Sequence, residues 1–350
     1  MKIAIASSHL SGSNKAGAGY QVNLFASQLA VRGHAVTVFS QIDSDSNAPY
    51  ALELVRAQGA LEFLRFAWDL RKVDFSRFDV LHAHGNAWFA RDRSLPRYIH
   101  TYHGSYFAEF LHEPRLKERL KLLALSGFET ASTAACDEAI AVSEEVRRFL
   151  PGITRVIPNG VDLKLFTPGS KKSKTPVVLF VGMLWGRKRG ALLVQKFRDE
   201  ILSKESRAML WMVCDEKVEG RGVVWFGRSC GSLLAELYRK AWVVCFPGTH
   251  MGMGLPCLEA MASATAVVST RVPAARELMC NGRCGLLVDE AELGQAVLRV
   301  LQDRLLRERL ERAGLERASE FSWDMVCARY EEVYRGSCCG VAERSFKGAV

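Results

Sequence analysis

The sequence predicts an α/β protein built from two doubly wound parallel sheets. Three observations point there. Short β-like runs alternate with longer helix-periodic segments along nearly the whole chain. The rhythm breaks once, between Arg155 and Pro176, and then restarts. The length of 350 residues, at roughly 150 per domain, suits two domains with a core each.

In the first half, Lys2 to Ala6, Ala35 to Phe39, Asp79 to His82, Tyr98 to Thr101 and Ala139 to Val142 read as buried strands. Between the first two, Val22, Phe25, Leu29 and Ala30 recur at helical spacing, and Arg32-Gly33 supplies a left-handed stop. Pro158, Asn159-Gly160, Pro168-Gly169 and the basic run Lys171, Lys172, Lys174 mark the linker. Beyond it, Val177 to Val181 reads as a strand, Ala191 to Leu202 as a helix, and Met209 to Val213, Val223 to Phe226, Val243 to Phe246 and Ala266 to Ser269 as strands. The tail after Arg335 is expected to fray.

Hydrophobic residues at 49% and charged residues at 24% exclude a disordered chain or a coiled coil. Lys plus Arg at 47 against Asp plus Glu at 38 leaves +9, which favours phosphate groups, acidic lipid headgroups or nucleic acid. The basic residues are scattered and no recognition motif accompanies them, which speaks against nucleic acid. None of the ten Cys forms a C-x-x-C pair, so reduced thiols and a cytoplasmic location are expected. Neither Cys280 with Cys284 nor Cys338 with Cys339 has a second pair to complete a tetrahedral site, so no metal is expected. No apolar run approaches the roughly 18 residues that span a bilayer, and the stretch after Lys2 ends at Ser7, too short for a signal peptide.

The most informative segment runs from Phe246 through Pro247, Gly248, Thr249, His250, Met251, Gly252, Met253, Gly254, Leu255 and Pro256 to Ala262. A strand enters a Gly-rich turn, Pro256 sits where a first helical turn tolerates it, and Glu259 follows inside the helix. Such a turn offers backbone N–H groups to an anion, and Glu259 can accept hydrogen bonds from a ribose diol. The alternative is that Glu259 only complements the helix dipole and the glycines only turn the chain.

This stretch resembles the nucleotide-binding signature of the family 4 retaining glycosyltransferases (group 1), which carries two Glu eight positions apart around a Gly-aromatic-Gly-Leu-Pro run; Glu259 matches the second. The resemblance extends roughly from Lys2 to Tyr334. Asp79 to Gly85 and His100 to Gly104 look like the family's two His-bearing strand ends, and Ile140 to Ser143 and Val156 to Asp162 its approach to the linker. Phe180 to Leu184 with Lys188 is similar to its diphosphate loop, Gly17-Ala18-Gly19 to its glycine-rich loop, and Phe321-Ser322-Trp323 to the start of its final crossing helix. A dinucleotide site is disfavoured at Gly17, because Val22 replaces the third glycine and the loop from Ser7 is long.

The resemblance implies a GT-B fold: two Rossmann-like domains, residues 1–165 joined by a crossing helix at about 320–335, and residues 176–319, facing a cleft, with 336–350 as a tail. It implies metal-independent, retaining transfer of a sugar from a nucleoside diphosphate, UDP first, to an acceptor hydroxyl on a lipid-linked or cell-envelope glycan, with no cofactor. Charge building on the leaving diphosphate must be met by fixed cations and N–H dipoles. The protein's own cations, rather than a divalent ion on an Asp-x-Asp pair, are expected to do this. Lys188 leads, with Arg187 and Arg189 beside it, although three adjacent charges more commonly form a solvated loop. His103 occupies the position near the transferred sugar. Gly17, Gly19, Gly182, Gly252, Met253, Gly254 and Leu255 are expected to line the substrate.

The chain departs from the pattern at Met251, which stands where the first Glu should contact donor-sugar hydroxyls; a thioether accepts no strong hydrogen bond. Either His250 takes over, or the donor lacks the usual hydroxyls, or activity is reduced or lost, leaving a nucleotide-sugar-binding relative. Met183 removes a cation from the diphosphate loop, and Cys214-Asp215-Glu216 replaces a Gly-rich turn. Between Glu113 and Leu125, Leu116, Leu120 and Leu123 recur at helical spacing among Arg115, Lys117, Arg119 and Lys121. The commoner arrangement, a surface helix with its apolar face in the core, is the first expectation; a helix lying on anionic membrane is the second.

Overall fold

The computed structural model describes every residue except 9, 11–16, 43–47, 56–61, 88–96, 114 and 337–350. The tail and most of the loop leading to Gly17 therefore lie outside the described residues.

The first half contains β1 (Lys2–Ser7), α1 (Ala18–Val31), β2 (Ala35–Ser40), β3 (Ala51–Leu54), α2 (Glu62–Asp69), β4 (Val80–His84), β5 (Tyr98–Tyr102), α3 (Tyr106–His112), α4 (Leu116–Thr133), β6 (Glu138–Ala141), α5 (Glu144–Phe149) and β7 (Arg155–Val156). Among the described residues these strands make one seven-stranded parallel sheet in the order β3-β2-β1-β4-β5-β6-β7. The second half contains β8 (Val177–Val181), α6 (Gly190–Lys196), β9 (Met209–Val213), β10 (Val223–Trp225), α7 (Gly231–Lys240), β11 (Val243–Phe246), α8 (Leu255–Ala262), β12 (Ala266–Thr270), α9 (Pro273–Leu278), β13 (Leu286–Val288), α10 (Leu293–Gln302), α11 (Arg304–Ser319) and α12 (Trp323–Tyr334). Its six strands run parallel in the order β10-β9-β8-β11-β12-β13.

In both sheets the order reverses once, between β1 and β4 and between β8 and β11. Adjacent connections there leave toward opposite faces, which opens a crevice at the strands' carboxyl ends. Strands β4, β5 and β12 are buried at every position, as sheets covered on both faces require.

Three strands escaped the sequence pattern. β3 and β13 lie at sheet edges and span only four and three residues, too short to show a strand period. Arg155 and Val156, assigned to the linker, instead pair with Ile140 and Ala141 as β7. The expected helix to Leu202 changes at Phe197–Ile201 into a π-helical turn.

After α11 the chain crosses back. Val161 in the linker bridges Ser322, and the Trp323 ring packs so closely on Gly160 that any Cβ there would overlap it. α12 then buries Trp323, Val326, Tyr330, Val333 and Tyr334 against Ile3 and Ile5 of β1 and Val22 and Phe25 of α1. Glu331 receives the Arg32 guanidinium at 2.7 Å and His34 Nε2 at 3.1 Å. The Arg32 hydrogen bond, aided by His34, holds the Glu331 carboxyl down to about 2.

A carboxylate depressed in the fold stabilises it above its ordinary pKa and loses that contribution as pH falls toward the depressed value. Glu331→Gln should lower unfolding stability by about 1.5–3 kcal/mol at pH 7, the worth of hydrogen bonds to a charged group. In urea denaturation the gap to wild type should narrow as pH drops from about 4.5 toward 2.

Candidate active site

The sequence-predicted residues gather at the two switch points, at the carboxyl ends of facing strands. Gly17 adopts φ 105° as the N-cap of α1, and Gln21 N–H donates to its carbonyl. Gly19 is buried in the first turn beside Tyr20. The Tyr20 hydroxyl is pushed up to about 12 by burial and by the nearby charges of Glu259 and Asp162, so this turn faces the second domain.

On the second sheet, Gly182 follows β8, where a Cβ would press on the Phe180 ring and the Lys188 stem. Thr249 N–H donates to Arg187 O at 3.0 Å, locking the loop after β8 to the loop after β11. That second loop ends at Gly254, whose φ of 79° makes it a left-handed N-cap for α8 and where a Cβ would overlap Met251 Sδ. Leu255 and Pro256 open the helix. Glu259 lies one turn in and accepts a hydrogen bond from Tyr238 OH at 2.9 Å. Burial, partly offset by that bond, raises its carboxyl to about 7.

Lys188 stands over the Phe246 ring at 4.7 Å. Burial and the neighbouring Arg187 lower its ammonium to about 8, and the Cys257 and Glu145 charges pull the other way. The two arginines beside it point elsewhere. Arg187 reaches across to Glu109 of α3 at 2.6 Å, and Arg189, in the left-handed region, makes a bidentate pair with Glu290. The expected three-cation cluster is therefore one half-buried lysine and two paired arginines.

His103 follows β5 and shares a 3.0 Å hydrogen bond, Nε2 to Nδ1, with His84 at the end of β4. Burial lowers His103 to about 4, partly offset by the Asn159 side chain, and drives His84 well below the ordinary range. Both rings are neutral at pH 7. His82 and His100 belong to the packing: His82 bonds Tyr334 OH and Thr101 Oγ1, and His100 Nε2 bonds Gly85 O.

Met253 is buried, its sulfur accepting from Asn159 N–H at 3.2 Å. Met251 is buried in the apolar cluster that also holds Val142, Val146 and Leu278. His250, one of the ways the missing acid could be replaced, holds Glu145 Oε1 at 2.8 Å with its Nδ1. Glu145, Glu109 and Asn159 were not singled out from sequence; the usable signal was that Glu145 directly follows a strand end and its Ser143 cap. Among the described residues no group of three or more His, Cys, Asp or Glu is placed to hold a metal ion. An Asp-x-Asp does occur, at Asp43-Ser44-Asp45, but lies outside the described residues.

The two switch points thus bring together a Gly-rich turn that caps a helix and, beside it, Lys188 and Glu259. Residues 16–165 match the profile of glycosyltransferase family 4, and residues 175–303 that of the glycosyl transferases group 1. The chain belongs to this family. It is 24% identical over 302 residues to the D-inositol 3-phosphate glycosyltransferase of Corynebacterium urealyticum, covering 74% of this chain and 71% of that protein. It is 28% identical over 257 residues to the alpha-maltose-1-phosphate synthase of Mycolicibacterium smegmatis, covering 60% and 66%. Among solved structures it superposes on sucrose-phosphate synthase from Thermosynechococcus elongatus with TM-score 0.78 at 22% identity, covering 96% of this chain and 98% of that one. It also superposes on Anabaena HepE in complex with UDP-glucose, with TM-score 0.73 at 16% identity, covering 96% and 100%. This glycosyltransferase therefore has the GT-B fold.

Gly254→Ala tests the turn. A β-carbon there meets both an unfavourable φ and Met251, so stability should fall by about 2 kcal/mol or more, read as a lower thermal midpoint.

Proposed function

We propose that this glycosyltransferase moves a sugar from UDP to an acceptor hydroxyl with retention of anomeric configuration, without a metal ion or cofactor, on a lipid-linked or cell-envelope glycan. In this reading, residues 1–165 with 320–335 form the acceptor-side domain, residues 176–319 hold the donor, and the enzyme works in the cytoplasm. The observation that carries it is Lys188: a half-buried ammonium over Phe246, beside the N-terminus of α8, where a leaving diphosphate needs positive charge. Glu259 then accepts hydrogen bonds from the ribose diol, while Gly17, Gly19, Gly182, Gly252 and Gly254 let backbone approach the substrate. His103, lowered to about 4 by burial, is too weak a base to take the acceptor's proton and hydrogen-bonds the transferred sugar. The departing phosphate accepts the proton of the acceptor hydroxyl. UDP is chosen because HepE, of the same fold, is bound to UDP-glucose.

The acceptor side is supported by α4. The first turns of the helix do not put their leucines into the core: Leu116 is 72% exposed and Leu120 60%, with Leu123 and, on the adjoining α3, Phe107 and Leu111 also exposed. The surrounding Arg115, Lys117, Arg119 and Lys121 suit an anionic membrane surface, where the leucines enter the acyl boundary. Among the described residues no helix is long and apolar enough to cross a membrane, so contact would be peripheral.

Mass-spectrometric screening of UDP-, GDP- and ADP-sugars with pooled acceptors should give transfer or donor hydrolysis with a UDP-sugar; binding with neither would sink the proposal. Lys188→Ala should weaken binding of that donor about tenfold or more. A sugar diphosphate stays fully ionised around neutrality, so affinity should peak between about pH 7, where Glu259 ionises, and about pH 8, where Lys188 loses its proton. Lys188→Ala should remove the alkaline limb and Glu259→Gln the acidic one. On the membrane side, the protein should float with phosphatidylglycerol vesicles at low salt and lose them at high salt. Leu116→Glu with Leu120→Glu should leave it at the bottom of the gradient under both conditions.

A further inference from the structure

The acid missing at Met251 has a counterpart on the other domain. Glu145 lies in the first turn of α5, just past the carboxyl end of β6, and its side chain is 6% exposed. One oxygen, Oε1, is held by His250 Nδ1 at 2.8 Å, so a residue of the donor-side loop grips a carboxylate of the acceptor-side domain. The other oxygen, Oε2, is buried with no hydrogen-bond partner. The backbone around it is firmly placed. Ser143 caps α5 by accepting from Val146 N–H, and Glu144 N–H donates to Glu277 Oε2 of α9. Glu145 also lies within electrostatic reach of the Lys188 ammonium.

A buried carboxylate oxygen without a donor is costly, and native structures fill such positions with a protein group, a water or a ligand. This acceptor stands between Lys188, on the diphosphate side, and the first domain. A sugar attached to a diphosphate at Lys188 presents hydroxyl donors there, and a carboxylate is the strongest neutral-pH acceptor for them. Met251 leaves that role open, since its side chain is turned into the core beside Gly254.

We infer that Glu145 Oε2 accepts a hydrogen bond from a hydroxyl of the donor sugar, with His250 as the positioning residue that fixes the carboxylate's orientation. This rests on the UDP-sugar reading above. The carboxylate comes from the domain opposite the nucleotide, so the sugar completes a hydrogen-bond set spanning both domains, and donor recognition is coupled to their apposition. UDP alone, lacking the sugar, leaves Oε2 unfilled.

The test is calorimetric titration of the full chain with UDP and with whichever of UDP-glucose, UDP-galactose and UDP-N-acetylglucosamine supports transfer. Wild type should bind the UDP-sugar more tightly than UDP. Glu145→Gln keeps the volume and the contact to His250 but removes the charge; it should leave UDP affinity within about twofold and weaken the UDP-sugar about tenfold. KM for the donor should rise more than kcat falls. Glu145→Ala, checked by its thermal midpoint, should do the same more strongly, and His250→Ala should show the same selective loss in weaker form. Equal losses for UDP and UDP-sugar would mean that the pair only joins the domains, and no change for either would mean that water fills the position; each overturns the inference. If wild type binds neither UDP nor any UDP-sugar, the proposed function falls and takes this inference with it.

Discussion

Two parallel sheets joined by one linker would be free to separate, and what holds them in register is the return of α12 onto the first sheet. Its aromatic face is buried with Phe25 and the strands, and its polar atoms are met inside that packing: Tyr334 OH by His82, Tyr330 OH by Thr101, and Glu331 by Arg32 and His34. Because α12 follows directly on the last helix of the second half, anchoring it also places the Gly-rich loop after β11 opposite the loops after β5 and β6. A continuous apolar cluster, with Val142 and Val146 of the first half against Met251 and Leu278 of the second, completes the joint.

That joint sets the electrostatics of the site. Lys188 is lowered because it is half-buried beside another cation, and Glu259 is raised because it is buried beside a tyrosine. Each is thereby brought near neutrality, where a phosphate or a diol can complete what the protein leaves undone. The four histidines beneath the other loop are lowered further, to neutral rings, because they share one dry interior with one another and with aromatic side chains. In the proposed reading the lysine steadies a leaving anion, while imidazoles held so far below their ordinary range are too weakly basic to draw a proton from the acceptor.

The surface has a similar economy. Cations scattered through the sequence divide by place: Arg187 and Arg189 are tied to Glu109 and Glu290, while those around α4 flank the exposed Leu116, Leu120 and Leu123. The cations thus serve as a bridge between domains, a loop clamp and the rim of an exposed apolar face.

Much of the fold was legible because parallel α/β sheets write themselves locally. Buried strands such as Val177–Val181 and Val243–Phe246 are unbroken apolar runs, and the stop at Gly33 and the turn into Pro256 are local backbone requirements. The same locality made Glu259 and Lys188 candidates, since each follows its strand by a fixed turn. Edge strands β3 and β13 were not legible, because four and three residues are too few to show a strand period. Nor were the partners of Arg187, Arg189, His250 and His84, the unburied leucines of α4, or the orphan oxygen of Glu145. Each depends on which surface lies opposite, across 78 residues for Arg187 and Glu109 and 101 for Arg189 and Glu290. Sequence alone determined the two sheets and the loops that face each other; only the tertiary structure decided which charges are already paired and which are left for a substrate, because pairing is a property of distance in space.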